Sequence, residues 1–205
     1  MANSLLAPNS GLLVAPGSIS LVASAPSAVQ LYDGSLAPLG IGSGLLLTTG
    51  MAPGVTNSVG SFGSDNSTVS GAQNGSAAID AVINSNFQTA SYDATMLSFN
   101  FTVTDPAATS ISFDVVFGSE EYPKWANLFV DTAVVIVNGV NYAFFSSDPK
   151  SALSVGNGNV AAGYFRDNSG NVLPIEYDGV SRVLKIVAPI IPGQVNNINP
   201  RRSRD

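Results

Sequence analysis

Cysteine and histidine are both absent from the 205 residues. Without cysteine there is no disulfide, thiolate metal site or cysteine nucleophile, and without histidine most hydrolase triads and zinc sites are closed off. Charge is scarce as well: 11% of residues are charged against 45% hydrophobic. The polar surface must therefore come from Ser, Thr, Asn and Gly, as it does on many secreted β-proteins. No run approaches the roughly 18 apolar residues of a spanning helix, so no membrane span is expected. The opening stretch Met1-Ala-Asn-Ser-Leu-Leu-Ala-Pro8 has neither the charged nor the apolar region of a signal peptide, and none is expected within this chain.

Positive charge is the scarcest of all. The formal net charge is −6, and three of the eight basic residues, Arg201, Arg202 and Arg204, fall in the last five positions. Setting those three and Asp205 aside leaves five basic and thirteen acidic residues in 1–199, a net of −8. No basic stripe exists for phosphates, so a nucleic-acid partner is excluded. The length suits one large all-β domain, expected over 1–198, with 199–205 a disordered basic tail.

What is present is a succession of short apolar runs between turn residues. Gly11–Val14, Ser18–Val22 and Leu45–Thr48 are separated by Pro16-Gly17, Pro26, Asp33-Gly34 and Pro38, which predicts short strands. The glycines Gly40, Gly42 and Gly44 lack the Lys and following helix of a phosphate cradle and read as turn residues. Residues 51–75 are polar and form a long loop carrying Asp65. After it, Ile79, Val82 and Ile83 repeat at i, i+3, i+4 behind Ser76, which predicts the one short helix, near 77–85.

From Leu97 the alternation is plain: Leu97, Phe99, Phe101 and Val103 share one face. Ile111, Phe113, Val115 and Phe117 repeat it after the Asp105-Pro106 turn, and these two strands are expected to pair. Ala133–Val137 and Val140–Phe144 flank Asn138-Gly139, the pair a type I′ hairpin prefers. Val160–Phe165, Val172–Tyr177 and Arg182–Val187 then predict a three-strand meander. The whole reads as an all-β, antiparallel β-sandwich of jelly-roll type.

Chemistry concentrates at Phe117-Gly-Ser-Glu-Glu-Tyr-Pro-Lys-Trp125, which holds the one adjacent pair of acids and the one Trp. Six acids, Asp65, Asp80, Asp93, Glu120, Glu121 and Asp131, fall in loops or at strand edges. Hard oxygen ligands without His or Cys suit Ca²⁺, which takes about six to eight oxygens. The plainer reading is that these carboxylates cap turns and face water. A glycosidase pair is disfavoured, because adjacent residues on an extended loop point to opposite sides while the reaction needs two carboxylates about 5–10 Å apart across a cleft. Tyr122 and Trp125 offer an aromatic platform for a sugar ring; the plainer reading has Trp125 covering one end of the core.

The run Leu45-Leu-Leu-Thr-Thr-Gly50, the segment Ser91-Tyr-Asp-Ala-Thr-Met-Leu-Ser-Phe99, the signature Phe113-Asp-Val-Val-Phe-Gly-Ser-Glu-Glu-Tyr-Pro-Lys-Trp125 and Asp131 with Val137-Asn-Gly-Val-Asn-Tyr-Ala143 occur in that order. Together they resemble the bacterial choice-of-anchor L domain, over roughly residues 10 to 198. The resemblance implies an exported, extracellular or cell-surface β-domain without enzymatic activity, used for display or adhesion, with surface glycans or other cell-surface components as partners. It places Asp93, Glu120, Glu121 and Asp131 on recurrent acidic positions; their role as Ca²⁺ ligands is a hypothesis, as is sugar binding by Tyr122 and Trp125. The chain departs from the pattern at Asn199-Pro-Arg-Arg-Ser-Arg-Asp205, where a further strand-forming segment and an anchor are expected.

Overall fold

The computed structural model describes residues 5–23, 28–33, 37–50, 52, 75–77, 79–81, 83, 90–126 and 128–198. The long loop with Asp65 and the basic tail lie outside these residues. The fold is antiparallel throughout, with thirteen strands among the described residues.

The alternating run forms the longest strand, β5 (Met96–Val103), whose Phe99 and Phe101 are buried. β1 (Leu12–Val14) and β2 (Ser20–Val22) pair along one side of it, against 101–103 and 96–98. Between them Gly17 takes a positive φ of 71°, and the Ser18 hydroxyl donates to the Ala15 carbonyl at 2.7 Å, so the chain bulges without leaving β5. On the other side β13 (Asn196–Ile198) pairs with 99–101, then β8 (Ile136–Val137) and β9 (Val140–Asn141) complete the sheet. The expected hairpin is there: β8 and β9 are joined by Asn138 (φ 50°) and Gly139 (φ 85°), both in the left-handed region that this turn demands.

The second layer is built from two long ribbons. β6 (Ser110–Val115) runs on into β7 (Gly118–Ser119), and β11 (Gly179–Ser181) runs on into β12 (Leu184–Pro189). β6 pairs with β12 and β7 with β11. Where the registers shift between them, the Ser181 amide donates to the Phe117 carbonyl at 2.8 Å and the Phe117 amide donates to the Ser181 hydroxyl at 2.9 Å. β10 (Phe165–Asp167) adds to β11, and a separate hairpin, β3 (Val29–Asp33) with β4 (Ser43–Leu47), stands beside this layer.

Two expectations are corrected. β5 and β6 do not pair: Phe99 and Phe101 meet Ile111, Phe113, Ala188 and Ile190 across the core, so the two strands lie in opposite layers. Alternation reports which face a strand buries and says nothing of its neighbour. The 104–109 connection, fastened by the Ala107 amide on the Asp105 carboxylate at 2.8 Å, spans the gap of about 10 Å between sheets. The three-strand meander is also absent. Asn157–Ala161 is a helix, α1, and 172–177 forms no strand. Two buried asparagines hold these stretches in other shapes. Asn159 Nδ2 donates to the Ala152 and Ser154 carbonyls at 2.9 and 3.0 Å. Asn168 Nδ2 donates to the Ile175 and Tyr177 carbonyls, both at 2.9 Å, while its Oδ1 accepts from the Leu173 amide at 2.8 Å.

The helix expected after Ser76 is present at 77, 79–81 and 83; the Asp80 amide donates to the Ser76 carbonyl at 2.8 Å and the Ile79 amide to the Ser76 hydroxyl at 3.3 Å, an N-cap.

Candidate functional site

β7 ends where the acidic loop begins, and Ser119 is the hinge between them. Paired with Gly179 in β11, Ser119 is almost fully buried. Its hydroxyl donates to Asp131 Oδ2 at 2.6 Å and accepts from the Glu121 amide at 3.1 Å. One small side chain thus ties the entry of the loop to its exit. Asp131 is fixed in turn by the Val155 amide, which donates to its carbonyl at 3.0 Å.

Between these ends the chain turns tightly. The Trp125 amide donates to the Glu121 carbonyl at 2.8 Å, and the Leu128 and Phe129 amides both donate to the Trp125 carbonyl, at 2.8 and 3.0 Å. The turn sorts the side chains onto two sides. Tyr122 and Ala126, four apart, face the core: Ala126 is buried and the Tyr122 ring lies 5.6 Å from that of Phe165. Glycine at 179 is needed beneath Tyr122, since a Cβ there would fall on the tyrosine Cβ and ring. The opposite side carries Trp125, 42% exposed, with Leu128 at 68%, Phe129 at 60% and Val130 at 42%. Lys124 Nζ sits 4.5 Å from the Trp125 ring centroid. Tyr122, rather than Trp125, covers the core, and the loop displays four large apolar side chains close together in sequence.

The carboxylates divide into a group and an outlier. Burial, and then the Asp131 charge, push the Glu121 carboxyl above its usual range. Burial also raises Asp131, against the opposing pull of the Ser119 hydrogen bond. Behind them lies Tyr177, whose phenol shares a 2.8 Å hydrogen bond with the Thr48 hydroxyl. Its pKa is pushed up to about 12, chiefly by burial, with the Asp131, Glu120 and Glu176 charges adding to the rise. Glu120, Glu121 and Asp131 therefore act on one neighbourhood. Asp93 stands apart. It has a positive φ of 55°, and its Oδ1 is buried without a hydrogen-bond partner. No charge interaction links it to the loop among the described residues. Asp80 is a structural acceptor, taking the Ser91 amide at 2.6 Å.

Among the described residues, no three acidic side chains converge as ligands of a metal ion. Asp131 Oδ2 is already occupied by the Ser119 hydroxyl. Sequence reasoning found the acids and the Trp but missed Ser119, Tyr177 and the apolar tip. The run Leu128-Phe129-Val130 was the available signal for the tip: three apolar residues in a row, without strand alternation, immediately after the turn.

The fold and the site define an antiparallel β-domain whose frame fastens a short loop at both ends and leaves Trp125, Leu128, Phe129 and Val130 exposed on it. A family model described as the choice-of-anchor L domain matches residues 14–199, and the chain belongs to that family. The family name marks a cell-surface-related bacterial domain. Neither the curated proteins nor the solved structures contain a match. No helix among the described residues is long and apolar enough to cross a membrane.

Proposed function

We propose that the chain is a non-enzymatic extracellular or cell-surface domain for display or adhesion, and that it touches its partner through the loop tip Trp125, Leu128, Phe129 and Val130. The observation that carries this reading is the exposure of those four side chains on a loop whose other face is locked by Tyr122, Ala126 and the Ser119–Asp131 hydrogen bond. Exposed apolar patches of this kind mark interaction sites, and a preformed loop loses little entropy on binding. Beads coated with the chain and layered on bacterial cells provide the test. Retention well above that of beads coated with a folded Trp125→Ala/Phe129→Ser variant supports the proposal, and equal retention defeats it.

Carbohydrate binding is the second reading, favoured by the open Trp125 ring, since one sugar face stacks on one indole face. Tyr122 would support the loop from below, its ring being committed to Phe165. A glycan array on which no sugar binds, or on which Trp125→Ala changes nothing, removes this reading.

Calcium enters only as a stiffener of the loop, and Glu120, Glu121 and Asp131 would have to be drawn together to hold it, since they do not converge as ligands among the described residues. An ion there would have to compete with the Ser119 hydroxyl for Asp131, so the fit is poor. A melting temperature that rises with Ca²⁺, falls with EDTA and ceases to respond in Glu121→Gln would establish it; an unchanged melting temperature ends it.

A further inference from the structure

Among the described residues, β6 pairs with β12 on one side and with no strand on the other. The Ile190 amide donates to the Thr109 carbonyl at 3.0 Å, and the register places 190 opposite 109. Hydrogen-bonded pairs alternate along an antiparallel ladder. Ile111, Phe113 and Val115 therefore exchange their bonds with Ala188, Ile186 and Leu184, while the N–H and C=O groups of Ser110, Ser112 and Asp114 point away from β12. Those outward groups have no backbone partner among the described residues. The side chains of Ser110, Ser112 and Asp114 are all exposed.

Open edges invite pairing with another chain, and proteins usually block them with proline, lysine, glycine-led bulges or very short strands. Several other edges here are blocked in that way, while the β3–β4 hairpin also has unpaired outer sides among the described residues. β1 and β2 are broken at Pro16-Gly17, β9 has two residues, and β12 carries Pro189 and Lys185 on its outer positions. β6 has six residues, no proline and no glycine. Its single charge, Asp114, is neutralised by Lys185 at 2.8 Å.

We propose that β6 is a self-association edge, pairing antiparallel with β6 of a second copy about a two-fold axis through Ser112. The sequence is self-complementary in that register. Ser112 faces Ser112, and each Asp114 faces the Ser110 of the other copy, so no like charges meet and each carboxylate lies opposite a hydroxyl. Ile111 of one copy faces Phe113 of the other on the inner side, extending the apolar layer across the junction. Moving the two-fold axis two residues along the strand, from Ser112 to Asp114, is a four-residue slide that sets Asp114 against Asp114 and is disfavoured. An isologous contact of this kind closes as a dimer and places two loop tips on one particle. Two tips on one particle would raise the avidity of a weakly binding surface domain.

Sedimentation equilibrium over a rising concentration series reads the proposal directly. The expected result is a reversible species of twice the 21.0 kDa chain mass. Ser112→Pro removes an amide that points away from β12 and has no backbone partner among the described residues, so it abolishes the dimer without breaking the β6–β12 ladder. Ser112→Lys keeps that amide but sets two ammonium groups against each other, and its dimer weakens at low salt and recovers at high salt. Because the chain has no cysteine, Ser112→Cys introduces a single thiol that a short bismaleimide joins between two copies, whereas Val187→Cys on the β12 edge does not cross-link. A chain that stays monomeric to about millimolar concentration, a dimer that survives Ser112→Pro and Ser112→Lys, or equal cross-linking at 112 and 187 overturns the proposal.

Discussion

Replacing Asn168 with alanine tests how the irregular 168–178 segment is held. Asn168 is fully buried, and its amide makes three hydrogen bonds to backbone groups that belong to no strand. A net contribution of about 1 kcal/mol per bond gives about 3 kcal/mol, and the two carbonyls and one amide left unpaired push the cost upward rather than down. For a domain of this size each kcal/mol moves the melting temperature by about 2–4 °C, so Asn168→Ala is expected to melt about 6–12 °C lower. The effect reaches the loop, because Tyr177 is held by Asn168 through its carbonyl, and its ring packs against Gly118 beside Ser119. Asn168→Asp is the sharper variant: it matches the shape, but its carboxylate cannot donate to the Ile175 and Tyr177 carbonyls and carries a buried charge, so it should be worse than alanine. Urea unfolding of the three proteins decides the matter. A loss below about 1 kcal/mol for Asn168→Ala, or an aspartate variant as stable as wild type, would refute the reasoning.

Three further outcomes follow from the same structure. Gly179→Ala places a methyl group on Tyr122 and is expected to cost about 1–3 kcal/mol, read by the same unfolding assay, with Tyr122→Ala in the same chain relieving part of the loss. Glu121 and Asp131 have folded pKa values above their ordinary ones. Their contribution to stability is therefore fully present below the unfolded carboxylate range, near pH 4, and is lost as pH rises through the folded values. Melting temperature should climb on mild acidification from neutrality, and Asp131→Asn, whose amide oxygen still accepts from Ser119, should be more stable at neutral pH and flatter with pH; a steeper profile would contradict this. The exposed Lys185–Asp114 pair should contribute less than about 1 kcal/mol in a double-mutant cycle, and that small value should fall further with added salt.

The elements that could be read from the sequence are those whose cause is local. β5 announces itself because one face must be apolar, Asn138-Gly139 because two successive left-handed residues are tolerated there, and the helix after Ser76 because its cap and its period agree. What stayed hidden depends on distant partners. β5 and β6 show the same alternation whether they share a sheet or face each other across a core, and only the demand of β5 for β1, β2 and β13 decides between the two. Val172–Tyr177 has strand-like residues but is claimed by Asn168, a side chain that looks like a turn residue in the sequence. At the loop the acids and Trp125 were legible as unusual residues. The role of Ser119 was not, because a serine becomes a hinge only when Asp131 returns to within 2.6 Å of it. Leu128, Phe129 and Val130 look like core residues in any hydropathy scale, and their exposure follows from the turn geometry that spends Tyr122 and Ala126 on the interior.

Footprinting the chain with a carbene label, free and then bound to bacterial cell surfaces, tests the central claim most directly. The account predicts loss of labelling at Trp125, Leu128, Phe129 and Val130 on binding, with no change at Val172, an exposed apolar residue outside the loop. Undiminished labelling of those four residues, with protection appearing elsewhere on the chain, would contradict it.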